Sequence, residues 1–191
     1  MTILDVVLLV IGFIAVVWFY MVVNYLVLLK HNVAKAWSNV DVLLRQRHDE
    51  LPKLVAVCER YMQYERALIE RIATTRNALE NARERVDTRE LSALEQELGT
   101  ELARLGALAE GYPDLKADQT FSHLQRRIAE LETAIADRRE FFNATVTINN
   151  TEIAQFPYLL FARAFGMRAF DLFAFDSARK SASAPAHASR A

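Results

Sequence analysis

From Val6 to Leu29 the chain carries no charged side chain, and beyond Lys30 apolar positions recur in alternating steps of four and three. These two patterns predict its elements. At about 1.5 Å per residue the uncharged run is long enough to cross a hydrocarbon core of about 30 Å. Trp18, Tyr20 and Tyr25 gather toward its far end, where amphipathic rings favour the headgroup level. No Lys or Arg precedes the run, and it lacks the Ala-x-Ala of a cleaved leader, so the pattern predicts an uncleaved anchor over residues 1–29.

After the anchor, a stripe of apolar or seam positions runs through Val33, Trp37, Val40, Leu44, Arg47, Leu51, Leu54, Cys58, Tyr61, Glu65, Leu68, Ile72, Thr75 and Leu79. It predicts a helix from Lys30 to about Arg85. Pro52 removes a backbone donor and predicts a kink or break near itself. Asp87 to Glu90 has the form of a capping box and opens a second helix, with Leu91, Leu94, Leu98, Leu102, Leu105 and Leu108 on one face. Gly111-Tyr112-Pro113-Asp114 ends it, glycine suiting a left-handed cap and Tyr112 being held extended by the following proline. A third helix begins between Pro113 and Asp118 and runs through Phe121, Leu124, Ile128, Leu131, Ile135, Phe142 and Val146 to about Ile153, where Phe156-Pro157 closes it. A Phe-rich fourth segment follows, Tyr158 to Phe175.

No strand-like alternation appears, so the expected fold is all-α: an N-terminal transmembrane helix followed by an antiparallel bundle of long helices. Its expected parts are the anchor at 1–29, a juxtamembrane helical stalk at 30–51, a cytoplasmic bundle at 52–176 and a disordered tail at 177–191, small and polar in composition.

Charge refines this picture. Lys30, Lys35, Arg45 and Arg47 follow the anchor closely, which places the N-terminus outside and the bulk of the chain in the cytoplasm. A formal net charge of −1 over 191 residues argues against a general nucleic-acid binder. The single Cys58 cannot form an internal disulfide, and on the seam it is expected to act as a small buried hydrophobe. His31, His48, His123 and His187 share no metal-ligand spacing. Phosphate loops and nucleophile elbows are absent from the sequence, so no catalytic residue, metal or cofactor is expected.

Polar residues do fall on seams. Glu132, Arg139, Asn143 and Asn150 share one face of the third helix, while Arg47 and Glu65 lie in the first stripe with Arg76 beside it. Buried charges demand partners, so these seven are expected to answer one another and fix helix register. A polar ligand pocket is the alternative. The Phe-rich segment also has two readings, the fourth side of the bundle by Tyr158, Phe161 and Phe165, or a helix on a membrane or in a partner's groove with Arg163 and Arg168 on its polar side.

The chain resembles the LemA family of bacterial membrane proteins. The likeness runs from about Val22 to Phe173 and rests on Tyr25-Leu-Val, Ala36-Trp37, Arg47-His-Asp-Glu-Leu-Pro52, Tyr61, Glu65, Arg76, Glu110-Gly-Tyr-Pro-Asp-Leu-Lys-Ala117, Phe121, Glu132, Arg139, Phe142-Asn143, Val146, Asn150, Ile153 and Phe156-Pro157. Its most specific parts are the turn with Tyr112, Pro113 and Asp114 and the series Asn143, Asn150, Phe156-Pro157. The chain departs from the family pattern at Asp118 and Lys53, where asparagine is usual, and at Asn149, where an aromatic is usual. The resemblance implies one N-terminal span in the bacterial inner membrane and a cytoplasmic helical bundle. It further implies association with other membrane proteins, including metalloproteases of the HtpX type, and with magnetosome formation in one branch. It implies no activity.

Helix lengths carry a further expectation. A second helix of about 30 to 35 Å cannot return to the bilayer from the tip of a first helix ending at Arg85. Val33, Trp37, Val40 and Leu44 would then lack a partner in their own chain, and this stripe is expected to form a homo-oligomer. The expected function is a non-catalytic, membrane-anchored scaffold that self-associates and binds membrane lipid and other membrane proteins, with no nucleic acid and no small-molecule substrate. The alternatives are a monomeric accessory subunit of a membrane enzyme such as an HtpX-type protease, and a lipid-binding or membrane-shaping module.

Overall fold

A computed structural model of the chain describes residues 3–173, and the expected tail at 177–191 lies outside them. Six helices follow in order: α1 Ile3–Tyr61, α2 Arg66–Glu84, α3 Thr88–Ala109, α4 Pro113–Ala117, α5 Gln119–Ala154 and α6 Tyr158–Ala164. No strand occurs among the described residues, and the fold is all-α as the periodicity requires. Packing groups the chain into two compact units, residues up to Val40 with Arg138–Asp171, and Asp41–Asp137 with Leu172 and Phe173.

In the first unit, every described residue of α1 from Ile3 to Met21 is exposed, and burial starts at Val22. From there Val22, Leu26 and Leu29 pack with Ile153 of α5 and Ala162 of α6, flanked by Tyr25, Tyr158, Phe161 and Met167. Val33, Ala36 and Val40 continue the buried row, and the Trp37 ring meets Phe142 edge-on at 5.5 Å. The segments run antiparallel, since the Tyr25 ring lies against Tyr158 at a tilt while Trp37, twelve residues later, meets Phe142. This corrects the expectation of an unpartnered stripe. Val33, Trp37 and Val40 are covered by their own chain, because α5 is 36 residues long and reaches this part of α1.

In the second unit, Leu44, Arg47, Leu51, Leu54 and Cys58 of α1 form one wall. The first helix ends at Tyr61, short of Arg85, and the backbone turns through Met62–Glu65, where Met62 is wholly buried. The heptad stripe therefore crosses two helices. Leu68, Ile72, Thr75 and Leu79 line α2, which packs on α3. On α3 the buried centre is Leu91, Glu95, Leu98, Glu101, Leu105 and Ala109, while Leu94, Leu102 and Leu108 lie only half-buried at its margin. A helical Glu reads as solvated from sequence; here arginines opposite draw two of them inward.

Pro52 lies inside α1 without ending it. Its missing N–H frees the carbonyl of His48, four residues earlier, and Arg76 Nε donates to that oxygen at 3.0 Å. The helix continues because a neighbouring side chain satisfies the freed acceptor.

The linkers follow local chemistry. Asp87 caps α3 by accepting from the backbone N–H groups of Arg89 and Glu90, but Glu90 pairs with Arg85 instead of reaching back, so only half of the expected capping box forms. Val86 takes a left-handed φ of 55°, with its N–H on Arg83 and the Asp87 N–H on Ala82 closing a Schellman turn. Gly111 is not left-handed, contrary to expectation. It makes a tight i to i−3 bond to the Leu108 carbonyl, which a Cβ would meet at 3.3 Å. Tyr112 then precedes α4, with Pro113 at its first position and Asp114 in its first turn, so the expected turn is a one-turn helix burying Leu115. Asp118 caps α5 through the N–H groups of Thr120 and Phe121, at 2.7 and 3.1 Å.

Candidate functional site

Two features rise above packing, one in each unit. In the second unit, the walls of α1, α2 and α3 enclose an ionic centre. Arg47, 4% exposed, pairs with Glu95, 2% exposed, through one guanidinium nitrogen, while its Nε has no protein partner. Glu132 of α5 lies within electrostatic reach: burial raises its pKa, Arg47 opposes that shift and Glu95 adds to it. Around this centre Arg83 bridges Asp41 at 2.7 Å and Glu80, and His48 Nδ1 lies 3.7 Å from Glu80. Burial and the adjacent Arg76 lower the pKa of His48, against the pull of Glu80. Bonding to Arg83 holds Glu80 below the usual carboxylate range.

Leu44, Arg47, His48, Arg76, Arg83 and Glu95 are among the residues around a cavity of about 20 Å³. That is room for about one water molecule, not for an organic ligand. Arg47 with Glu95, and Arg83 with Asp41, join cations to carboxylates of different helices, which suits a register-fixing network. Cys58, fully buried, has its thiol pushed up to about 11 by burial, which keeps it protonated at neutral pH. Among the described residues, no three His, Cys, Asp or Glu side chains converge as a metal site.

The seven expected network residues separate. Arg47, Arg76 and Glu132 belong to this centre. Glu65 does not: it sits half-buried in the turn at the N-cap position of α2, without a side-chain cap bond. Arg139, Asn143 and Asn150 lie in the first unit, half-buried. There Asn150 clamps the chain after α6, its Nδ2 donating to the Phe170 carbonyl at 2.8 Å and its Oδ1 accepting from the Phe170 N–H at 3.0 Å. Beside it Asn149 is 1% exposed and its Oδ1 has no hydrogen-bond partner, an unpaired buried acceptor that costs stability. Sequence reasoning missed Asp41, Glu80, Arg83 and Glu95, since charged residues on a mixed helix face carry no signal of what stands opposite.

The second feature belongs to the first unit. Trp18 and Phe19 of α1 meet the Phe161 ring edge-on at 5.8 and 5.6 Å, and Tyr25 lies 5.0 Å from Tyr158. The short α6 thus grips α1 where exposure ends and burial begins. It stops at Ala164, earlier than the expected Phe175, because Gly166 at φ 64° closes a Schellman turn that brings Met167 onto the same cluster.

Residues 36–186 match the model of the LemA family. The chain belongs to the LemA family. Within curated proteins, Magnetosome protein MamQ 2 and Magnetosome protein MamQ 1 of Paramagnetospirillum magneticum are each 39% identical over 69 residues, 35% of this chain and 25% of theirs. Magnetosome protein MamQ of Magnetospirillum gryphiswaldense is 32% identical over 75 residues, 39% of this chain and 28% of that protein. The matches thus span about a quarter of the length of these relatives. As a LemA-family protein with, among the described residues, one helix long and apolar enough to cross a membrane, the chain is a membrane-associated helical protein.

Proposed function

We propose that this LemA-family protein is a non-catalytic adaptor of the bacterial cytoplasmic membrane, anchored by α1 with its N-terminus outside, whose cytoplasmic helices dock another membrane protein. The observation that carries the reading is on α5. Phe141 and Ile148, one heptad apart and each 56% exposed, stand on a face away from the buried Phe142, Val146 and Asn149. With Ala144 and Thr145 between them they present the i, i+3, i+4, i+7 anchors that a partner helix reads. They belong to the same compact unit as the apolar span, which favours a partner that is itself in the membrane. Self-association through Val33, Trp37, Val40 and Leu44 loses its basis, since all but the half-buried Trp37 are fully buried in their own chain.

Photo-crosslinking from Phe141 and Ile148 in intact cells tests the docking face. Adducts to a different membrane protein support the adaptor; adducts solely to a second copy convert it to a self-assembling scaffold. A pattern no richer than that from exposed Tyr64 removes the docking face.

A further inference from the structure

We propose that α6 and its flanks form a second membrane-contacting element, an interfacial collar seated in the headgroup layer at the end of the span. The inference rests on the reading of α1 as an anchor. The exposed part of α1 runs from Ile3 to Met21 and is uncharged from Val6 onward, and at 1.5 Å per residue the uncharged residues cover about 24 Å, most of the thickness of a hydrocarbon core. The bilayer boundary therefore falls near Trp18, Phe19 and Tyr20, residues whose rings favour that depth. Phe161 is in ring contact with two of these three. That contact fixes the level of α6.

At this level α6 has two faces. Tyr158, Phe161 and Ala162 turn toward α1. The opposite side presents Leu160 and Arg163, flanked by Phe156, 81% exposed, and by Phe165, exposed by more than half. Three large apolar side chains left uncovered beside a lipid-facing helix are continuous with its lipid-facing surface, which includes Trp18, Phe19, Tyr20 and Met21. The occupant is phospholipid. Arg163 and Arg168, both exposed, lie where long cationic side chains extend to phosphate while their stems and neighbouring rings rest among the first methylenes. The Asn150 clamp on Phe170 and the Gly166 turn hold the returning chain against the unit, so the collar is presented by a built structure. Its effect is to set how deep the anchor sits, because sinking α1 further would bury Arg163 and raising it would strip the rings of lipid.

The test uses the full-length chain in phosphatidylcholine and phosphatidylglycerol vesicles, with Trp18 and Trp37 replaced by Phe and one tryptophan returned at Phe13, Phe156, Leu160, Phe165 or Tyr64. Lipids brominated near the headgroup or near the bilayer centre quench tryptophans at their own depth. The expected result is loss of emission at Phe156→Trp, Leu160→Trp and Phe165→Trp with shallow bromines, loss at Phe13→Trp with deep ones, and no loss at Tyr64→Trp, which occupies the exposed polar turn after α1. If Phe13→Trp is unquenched by either lipid, the anchor reading itself fails. If Phe13→Trp is quenched while the three collar positions behave like Tyr64→Trp, the collar is overturned and the anchor stands. Collar positions shielded from both bromine and aqueous iodide would show a protein covering them, which also overturns lipid as the occupant.

Discussion

Two helices of this protein end in the same hydrogen-bond pattern, but α6 uses Gly166 at the left-handed position and α2 uses Val86. A β-branched residue there crowds its own carbonyl, whereas glycine does not. Val86 is more than half exposed and gives little packing in return. Val86→Gly is therefore expected to raise the unfolding free energy by up to about 1 kcal/mol, the relief of strain exceeding the added freedom of the unfolded chain; a fall in the urea midpoint would contradict this. Glu132 makes a second prediction. Its folded pKa is raised by burial, so its contribution to stability is fully present below its unfolded value and is lost as pH rises through the folded one. Glu132→Gln should match the wild type in acid and exceed it at neutral pH. A stability difference independent of pH would show that the charge is adequately paired by Arg47. Asp118 behaves oppositely, held low by the Phe121 N–H and the Tyr61 hydroxyl, so its stabilisation persists above its unfolded pKa and fades in acid as it is protonated. At this scale the sequence was informative where chemistry is local: Asp87 and Asp118 are caps by residue type and position. It was silent on Val86, which no propensity would place at a left-handed turn.

Among the elements, α1 shows how one helix depends on another. Pro52 orphans the His48 carbonyl and Arg76 of α2 satisfies it. Arg76→Met should cost about 1–3 kcal/mol by leaving a part-buried acceptor unpaired. In a Pro52→Ala background the restored N–H supplies the missing bond and the same substitution should cost measurably less. A double-mutant cycle in chemical denaturation reads that coupling, and additivity of the two changes would mean that Arg76 acts elsewhere. The Arg47–Glu95 pair ties α1 to α3 by similar logic, for removing one partner leaves the other charge buried alone. The periodicity marked Pro52 as a disruption and Arg47 and Arg76 as seam residues. It could not mark Glu95, because a Glu on a Leu-rich helix becomes a core residue only when an arginine from a distant segment arrives opposite it.

For the molecule as a whole, the covered stripe changes what mutations should do. Val40 is fully buried, and α5 together with Trp37 and Phe142 makes this region of α1 part of a folded unit. Val40→Asn in the full-length chain is expected to lower the thermal midpoint and leave the detergent-corrected mass unchanged. A drop in mass without loss of stability would return the stripe to a role in self-association. By itself the sequence determined the all-α class, the long apolar N-terminal helix, the α3 cap and the break at Phe156-Pro157, since each follows from hydrophobic period, run length or short-range chemistry, while its motifs carried the resemblance to the LemA family that the match over residues 36–186 shows. The tertiary structure decided where α1 ends, which glutamates become core residues, that the stripe is covered and that α6 packs against α1 at Trp18 and Phe19. Those outcomes depend on which distant segments meet, and the period of a helix records that a face is apolar without recording what will cover it.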